Sequence, residues 1–493
     1  VNELLICYFK LKGGGCYCSC PAAKGSQIFL SANAAFRKQE GLGIFYAKEF
    51  FMRKKQLCFL LFSLITLLLV SACTQNDNLS HSTNSNTIEK EHLNTIQPTG
   101  DIHLITGVDG IIGNATASVE TGYYELLPRD DGSFNIAYTD YQTATRIYLC
   151  NRPECKHFDT SCTSWLSSED CAGGVGLFTD GNKLYVQRQG TGTEIGHPET
   201  MTGRSPSKII EMNLNGSNRK ELLVLTGSDS IWGAIAADKN HLFFLLDSVI
   251  QINDELSVKR TLVAFDTETQ DIVHLKEFEL YTHLVGTSSD GLVLKVIEQG
   301  AGNQTQSSIY LFNLSNGNFE KIKQWNGSHI ISQVSNNILY CIDSKNAQLS
   351  AVHLDTGDET VITTELPLHK DDTIIRLGIW DNHFMYRVYE RGSHIASDIH
   401  DYSIDLKDGH YFENTLKYTA FNITSSVNIL AESNNYFLVG YDKRSRSTKQ
   451  IGPDGTSYSL EIDELLQGLI KKEDFWNNHA QYVPIDNTES SNF

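Results

Sequence analysis

Three thiols and an imidazole crowd into one short stretch of this chain: Cys150, Cys155, His157 and Cys162. The pattern Cys-x4-Cys-x-His-x4-Cys offers four sulfur and nitrogen donors, and zinc takes four such donors in a tetrahedron. Disulfide chemistry is the competing use. With Cys171 nearby, four clustered cysteines allow three pairings, and exported proteins commonly oxidise theirs. Free thiols are the third reading, and Cys171 is an alternative fourth ligand. Four protein ligands leave no open position, so a zinc held here is structural and not catalytic. Cys341 lies in the apolar run Ile338–Ile342 and reads as core. The chain shows no His-Glu-x-x-His, Gly-x-Ser-x-Gly, Walker or calcium-loop motif. Acidic pairs such as Asp130-Asp131 and Asp371-Asp372 read as solvated turns, not catalytic carboxylates. One structural zinc is therefore the only cofactor suggested.

The elements that must position this cluster are strands. From about residue 120, short runs rich in Val, Ile, Tyr, Phe and Leu alternate with Gly, Asn and Asp turns, the all-β signal. One kind of turn precedes an apolar strand, as in Asp180-Gly181-Asn182, Asp238-Lys239-Asn240, Asn336-Asn337 and Asp381-Asn382. The other follows an alternating strand, as in Asn213–Gly216, Asn313–Gly317 and Asp405–Gly409. Asn-Gly and Asp-Gly suit type I′ hairpins, in which both central residues need φ above zero. The units recur about every 40–58 residues, a propeller-blade period, and each reads as four strands. The fold class is therefore all-β, a single β-propeller of four-stranded blades over 100–486. Seven blades are favoured and six are the alternative; a pair of β-sandwiches repeats less regularly. Leu460 to Trp476 changes period, and Leu460, Ile462, Leu465, Leu466, Leu469 and Ile470 predict a short amphipathic C-terminal helix; 487–493 reads as a disordered tail.

Tight turns should gather on one face of such a disc and longer loops on the other, where binding usually lives. The longest loop is Gly190–Lys208, so His197 and Arg204 are candidate binding residues. Others are expected near Asp247–Lys259, Gln299–Ser308 and Arg391–His400.

The chain has 493 residues, 40% of them hydrophobic and 20% charged, enough to build a packed core. Its net charge of −19 argues against nucleic-acid partners. Leu57–Val70 is apolar but too short to span a bilayer as a helix. Arg53, Lys54 and Lys55 precede it, and Ser71-Ala72-Cys73 follow. That order is an export signal, here 52–72. Residues 1–51 precede the first Met of the chain and Lys48-Glu49 can be encoded as a ribosome-binding sequence, so 1–51 reads as translated upstream sequence. Residues 73–99 are rich in Asn, Ser and Thr and read as a disordered tether.

Leu69-Val70-Ser71-Ala72-Cys73 resembles the lipobox of bacterial lipoproteins. The resemblance implies cleavage before Cys73 and lipidation of its sulfur, which anchors the chain to the outer face of the cytoplasmic membrane. Tyr148–His157 with Cys162, the hairpin Asn213–Asn218 and the tail Lys472–Asn477 with Tyr482–Ile485 together resemble uncharacterised propeller lipoproteins of Gram-positive gut bacteria. Their propellers are of the TolB and low-density-lipoprotein-receptor types. That resemblance implies fold and surface location and brings no established activity. The function expected is capture of a protein, peptide or glycan at the long-loop face. The alternatives are a propeller hydrolase or lyase acting on polysaccharide or peptide, and a structural adaptor in an envelope complex. Carboxylates and histidines converging at the channel mouth would favour the enzyme.

Overall fold

The structure, a computed structural model, describes residues 8–12, 15–19 and 94–487 except 108–114, 130, 172–173, 190–205, 226–228, 253–254, 279–280, 300–304, 328, 370–371, 390–398, 421–422 and 452–456. Cys73, the signal segment, the tether up to residue 93 and the tail from 488 lie outside the described residues. The chain divides into two compact units, 1–89 and 90–493. In the first, Tyr8–Lys12 pairs antiparallel with Gly15–Ser19.

The second unit is a seven-bladed β-propeller. Its blades span 116–148, 175–224, 229–278, 282–326, 330–363, 373–414 and 428–484, each an antiparallel sheet with its four main strands in chain order. First strands of neighbouring blades touch, between blades 1 and 2 and from blade 3 round to blade 6, so these strands surround the centre. Among the described residues, seven apolar clusters fill the seven junctions between blades. Each blade is thus buried on both faces, which is why its strands carry adjacent apolar residues, as in Leu242–Leu246.

The turns divide as expected but differ in type. Asn336-Asn337 (φ 49 and 63) and Asp381-Asn382 (φ 45 and 61) are the two-residue hairpins with both central residues at positive φ. The glycine turns are longer. Gly317, Gly357 and Gly409 each donate an N–H to a carbonyl four residues back, at 2.8–2.9 Å, and only the glycine has positive φ. Gln270 fills the same position in blade 3, at φ 64 and with the same bond to Asp266.

Two of the expected loops and the C-terminal helix turn out differently, while Arg391–His400 lies outside the described residues up to 398. Asp247–Lys259 is largely ladder: His241–Ile252 pairs with Glu255–Asp266 along its whole length. In Gln299–Ser308 the described residues, Gln299 and Thr305–Ser308, are strand too, with pairing from Gly291↔Asn313 to Gln299↔Thr305, and 300–304 lie outside the described residues. In blade 7, Tyr436–Ile451 and Ser457–Lys471 form a hairpin that runs far past the five-residue first strand Asn428–Glu432. Of the stretch Leu460–Trp476 the part up to Lys471 is therefore strand, and the expected short C-terminal helix is confined to Lys472–Trp476. The spacing of Leu465, Leu466, Leu469 and Ile470 suits a helix, but it equally suits a strand covered on both sides, and the ladder to Tyr436–Ile451 decides. A bulge between Gly440 and Asp442 bends this hairpin; a Cβ at Gly440 would lie 2.5 Å from the Leu465 side chain.

Both ends of the described stretch 94–487 are built in. Residues 94–99, read as the end of the tether, lie against blades 3 and 4. The Ile96 N–H donates to Leu314 O at 2.9 Å, and Thr99 donates to the Asp238 carboxylate from both its N–H and its hydroxyl, at 2.8 and 2.9 Å. His103–Leu104 then pairs with Asp229–Ala237, the first strand of blade 3, on its central side. At the other end, Val483–Pro484 is the outer strand of blade 7, and Asp486–Asn487 pairs parallel with Thr145–Arg146 of blade 1. The ring closes through that latch and an apolar junction of Tyr123 and Tyr141 against Leu438 and Leu469.

Candidate functional site

The outer strand of blade 1 is interrupted by the cysteine loop. Thr145–Tyr148 pairs with Ala137–Asp140, and Trp165–Leu166 resumes on the same neighbour at Asn135 and Phe134. The two ends of the loop meet at one residue: the Leu149 N–H donates to Ile136 O at 2.9 Å, and the Ile136 N–H donates to Ser164 O at 2.8 Å. Everything from Cys150 to Thr163 is an excursion from the sheet edge.

The sequence folds this excursion tightly. Glu154 and His157 take left-handed backbone angles, φ 57 and 55, and the Asp159 carboxylate accepts the Ser161 N–H at 2.9 Å as an Asx turn. The His157 carbonyl accepts from Asn135 Nδ2 at 2.9 Å, and the His157 ring lies 4.6 Å from the Tyr148 ring. These contacts hold the imidazole at the thiols.

The four donor atoms of Cys150, Cys155, His157 and Cys162 lie within 4.8 Å of one another. His157 Nδ1 is 3.2 Å from Cys162 Sγ. Bonds of about 2.0–2.3 Å to a tetrahedral zinc put neighbouring donors about 3.5–3.8 Å apart, so the group is a small contraction from a closed site. The Cys3His group could hold a metal ion.

The local electrostatics prepare thiolates unequally. Burial raises the Cys155 thiol, but the His157 N–H, the Arg152 guanidinium at 3.2 Å and the neighbouring thiols outweigh it and bring it down to about 7. Burial pushes Cys162 up to about 11, partly offset by Ser164. A bound cation would deprotonate both. Cys171 stands apart, in the apolar junction of blades 1 and 2, its thiol pushed up to about 12 by burial. Cys341 is core in blade 5, as expected. Cys150, Cys155, Cys162, Cys171 and Cys341 are all free thiols.

The loop also reaches blade 2. Arg219 donates to Thr163 O and Trp165 O, both at 2.7 Å. Gly216, at φ 79, sits where a Cβ would meet Thr163 O at 2.9 Å. The loop therefore braces blade 1 against the outer hairpin of blade 2. Arg219 and Asn135 were not legible in the sequence as partners of the cluster, since nothing local ties Arg219 to residues 54–56 positions away or Asn135 to His157, 22 positions away.

His197 and Arg204 lie outside the described residues. The long-loop face does carry a second feature, at the junction of blades 6 and 7. There the projecting hairpin of blade 7 and the small hairpin Lys417–Ala420 with Ile423–Ser426 enclose a cavity of about 380 Å³. Lys443 of the first hairpin and Lys417 of the second both line it. Arg387 of blade 6 lines it as well and is bound by Asp401 in two bonds of 2.7 and 2.9 Å.

No family model matches the chain, and no curated protein is similar to it. Among solved structures, the β-propeller domain of the Trilobed protease from Pyrococcus furiosus is 13% identical with a TM-score of 0.40, over 79% of this chain and 99% of that one. Acylaminoacyl peptidase from Pyrococcus horikoshii is 13% identical with a TM-score of 0.41, over 75% of this chain and 57% of that one. TolB from Acinetobacter baumannii is 12% identical with a TM-score of 0.32, over 73% and 78%. The structural neighbours are thus β-propeller proteins, TolB and the propeller domains of peptidases among them. Similarity this low carries no activity across, and the fold rests on the chain's own seven sheets.

Proposed function

We propose that this chain is a lipid-anchored surface lipoprotein whose propeller captures a protein, peptide or glycan through its long-loop face. The signal segment 52–72 directs export, Cys73 carries the lipid, and the propeller stands on the outer face of the cytoplasmic membrane, as in the Gram-positive lipoproteins that the sequence resembles. His197 and Arg204 belong to the binding face, and a structural zinc on Cys150, Cys155, His157 and Cys162 stiffens the first blade junction.

One observation carries the reading. The chain enters the propeller at the tight turns, Thr99 against Asp238–Asn240 and Ile96 against Leu314. A lipid at Cys73 would then hold the tight-turn face toward the membrane and leave the long loops pointing outward. Some 20 residues separate Cys73 from Asn94. As a flexible coil they average about 25 Å end to end, less than a freely tumbling domain would need.

The test has two parts. Cys73→Ala should move the protein from the membrane fraction to the soluble exported fraction. A fluorophore at Asn316→Cys, on the tight-turn face, should be quenched by headgroup-attached acceptors at least twofold more than one at Lys345→Cys, on the long-loop face. Both positions are exposed. Equal quenching, or membrane retention of Cys73→Ala, overturns the arrangement.

A further inference from the structure

The cavity between blades 6 and 7 is cationic in a strongly acidic protein. Three basic side chains line it, Arg387, Lys417 and Lys443, and among the described residues no Asp or Glu does. The whole chain has 59 acidic residues against 40 basic, so the local balance is the reverse of the global one.

Not all three charges are free. Asp401 engages Arg387 in both bonds and holds its guanidinium above the usual range, so that pair is neutral scaffolding. Two nearby carboxylates are also engaged: Glu413 with His400 at 2.8 Å, and Glu464 with Arg444 at 2.7 Å. Lys417 makes a long 3.4 Å bond to the Ile399 carbonyl, and the Lys443 ammonium has no carboxylate partner among the described residues. Two ammonium groups, brought together from different hairpins, thus face the cavity without a carboxylate counter-ion among the described residues. Between them the wall is hydroxylated, by Tyr418, Thr424, Ser425 and Ser426.

We infer that this cavity binds an anionic sugar: a hydroxylated ring bearing an oxyanion, either a carboxylate, as in a uronic acid, or a phosphate ester. The two lysines meet the oxyanion as point charges, and the hydroxyl wall exchanges hydrogen bonds with the ring. The volume lies at the lower end of the range for small-ligand sites, about 300–1,000 Å³. The inference rests on the long-loop face being the working face, because the blade 7 hairpin and the segment between blades 6 and 7 both belong to it.

The experiment is calorimetric titration of the full chain in detergent with glucuronate, galacturonate oligomers, glucose 6-phosphate and uncharged glucose and maltose. The expected result is that at least one anionic sugar binds ten times or more tighter than its neutral counterpart, and that added salt weakens it. Whether uronate or phosphate binds identifies the oxyanion. Lys417→Ala with Lys443→Ala should reduce that affinity at least tenfold with the melting temperature unchanged, and Lys345→Ala, elsewhere on the same face, should not. Equal binding of neutral and anionic sugars, unchanged affinity in the double variant, or no saccharide binding at all would each overturn the inference. None of these outcomes alters the quenching comparison, which judges the working face by itself.

Discussion

Cys155 and Cys162 sit in one donor group yet ionise at opposite ends of the thiol range, about 7 against about 11. A cation removes that difference by taking both as thiolates. Anaerobically purified protein is expected to carry one zinc per chain, read by native mass spectrometry. Cys155→Ser or His157→Ala should lose it, whereas Cys171→Ser should keep it and lose stability only through a poorer core. Retention of metal in the first two would remove the site. A second residue stakes stability on its charge. Burial raises the Asp238 carboxyl, but the N–H groups of Thr99, Asn240 and His241 outweigh that and hold it below its ordinary value. Its contribution is complete above about pH 4, where an unfolded Asp is ionised, and is lost as pH falls through the lowered folded value. Asp238→Asn should cost about 2 kcal/mol at pH 7 in urea titrations, and its stability should fall less between pH 5 and pH 3 than that of the wild type.

The turns carry the repeat at the scale of the element. A left-handed residue closes the outer hairpins of blades 3 to 6, and glycine supplies it in blades 4, 5 and 6. Gln270 does the same with a Cβ, at a cost of about 1 kcal/mol. Gln270→Gly should therefore raise stability by about 0.5–1 kcal/mol, seen as a small rise in melting temperature; a fall would mean that the Gln side chain has a role of its own. These turns made the blades legible in sequence, because an Asp or Asn capping its own hairpin is a local event. The misread helix marks the limit of local reading. Ser457–Lys471 is a strand because Tyr436–Ile451 lies beside it, and a periodicity count contains no partner. The metal group was legible for the same local reason as the turns. The cationic cavity was not, since its residues come from positions as far apart as Arg387 and Leu465.

In the whole molecule, the ring has one junction unlike the others. The four main strands of blade 1 and of blade 7 come from opposite ends of the propeller sequence, and the strand that crosses between them is the two-residue parallel pair of Asp486–Asn487 with Thr145–Arg146. Closure falls to Tyr123, Tyr141, Leu438 and Leu469, with the Ile485 N–H donating to Gln467 O at 3.0 Å and the Asp486 N–H to Ala144 O at 2.9 Å. A chain ending at His479 loses those bonds and the stack of Tyr482 on Tyr441 at 4.6 Å. At about 1 kcal/mol per hydrogen bond, plus the buried apolar contact, it should be destabilised by about 3 kcal/mol. Hydrogen exchange should quicken first in 116–125 and 428–440; uniform quickening would show that the seam is no weaker than the rest.

The N-terminal segment enters far from that seam. Ile96, Thr99 and His103–Leu104 tie it to blades 3 and 4, whereas the seam joins blades 7 and 1. Tension applied to the N-terminal side of the chain is therefore taken up first by a continuous stretch of the ring. A pull on that segment would load blades 3 and 4 before it reached the junction of blades 7 and 1.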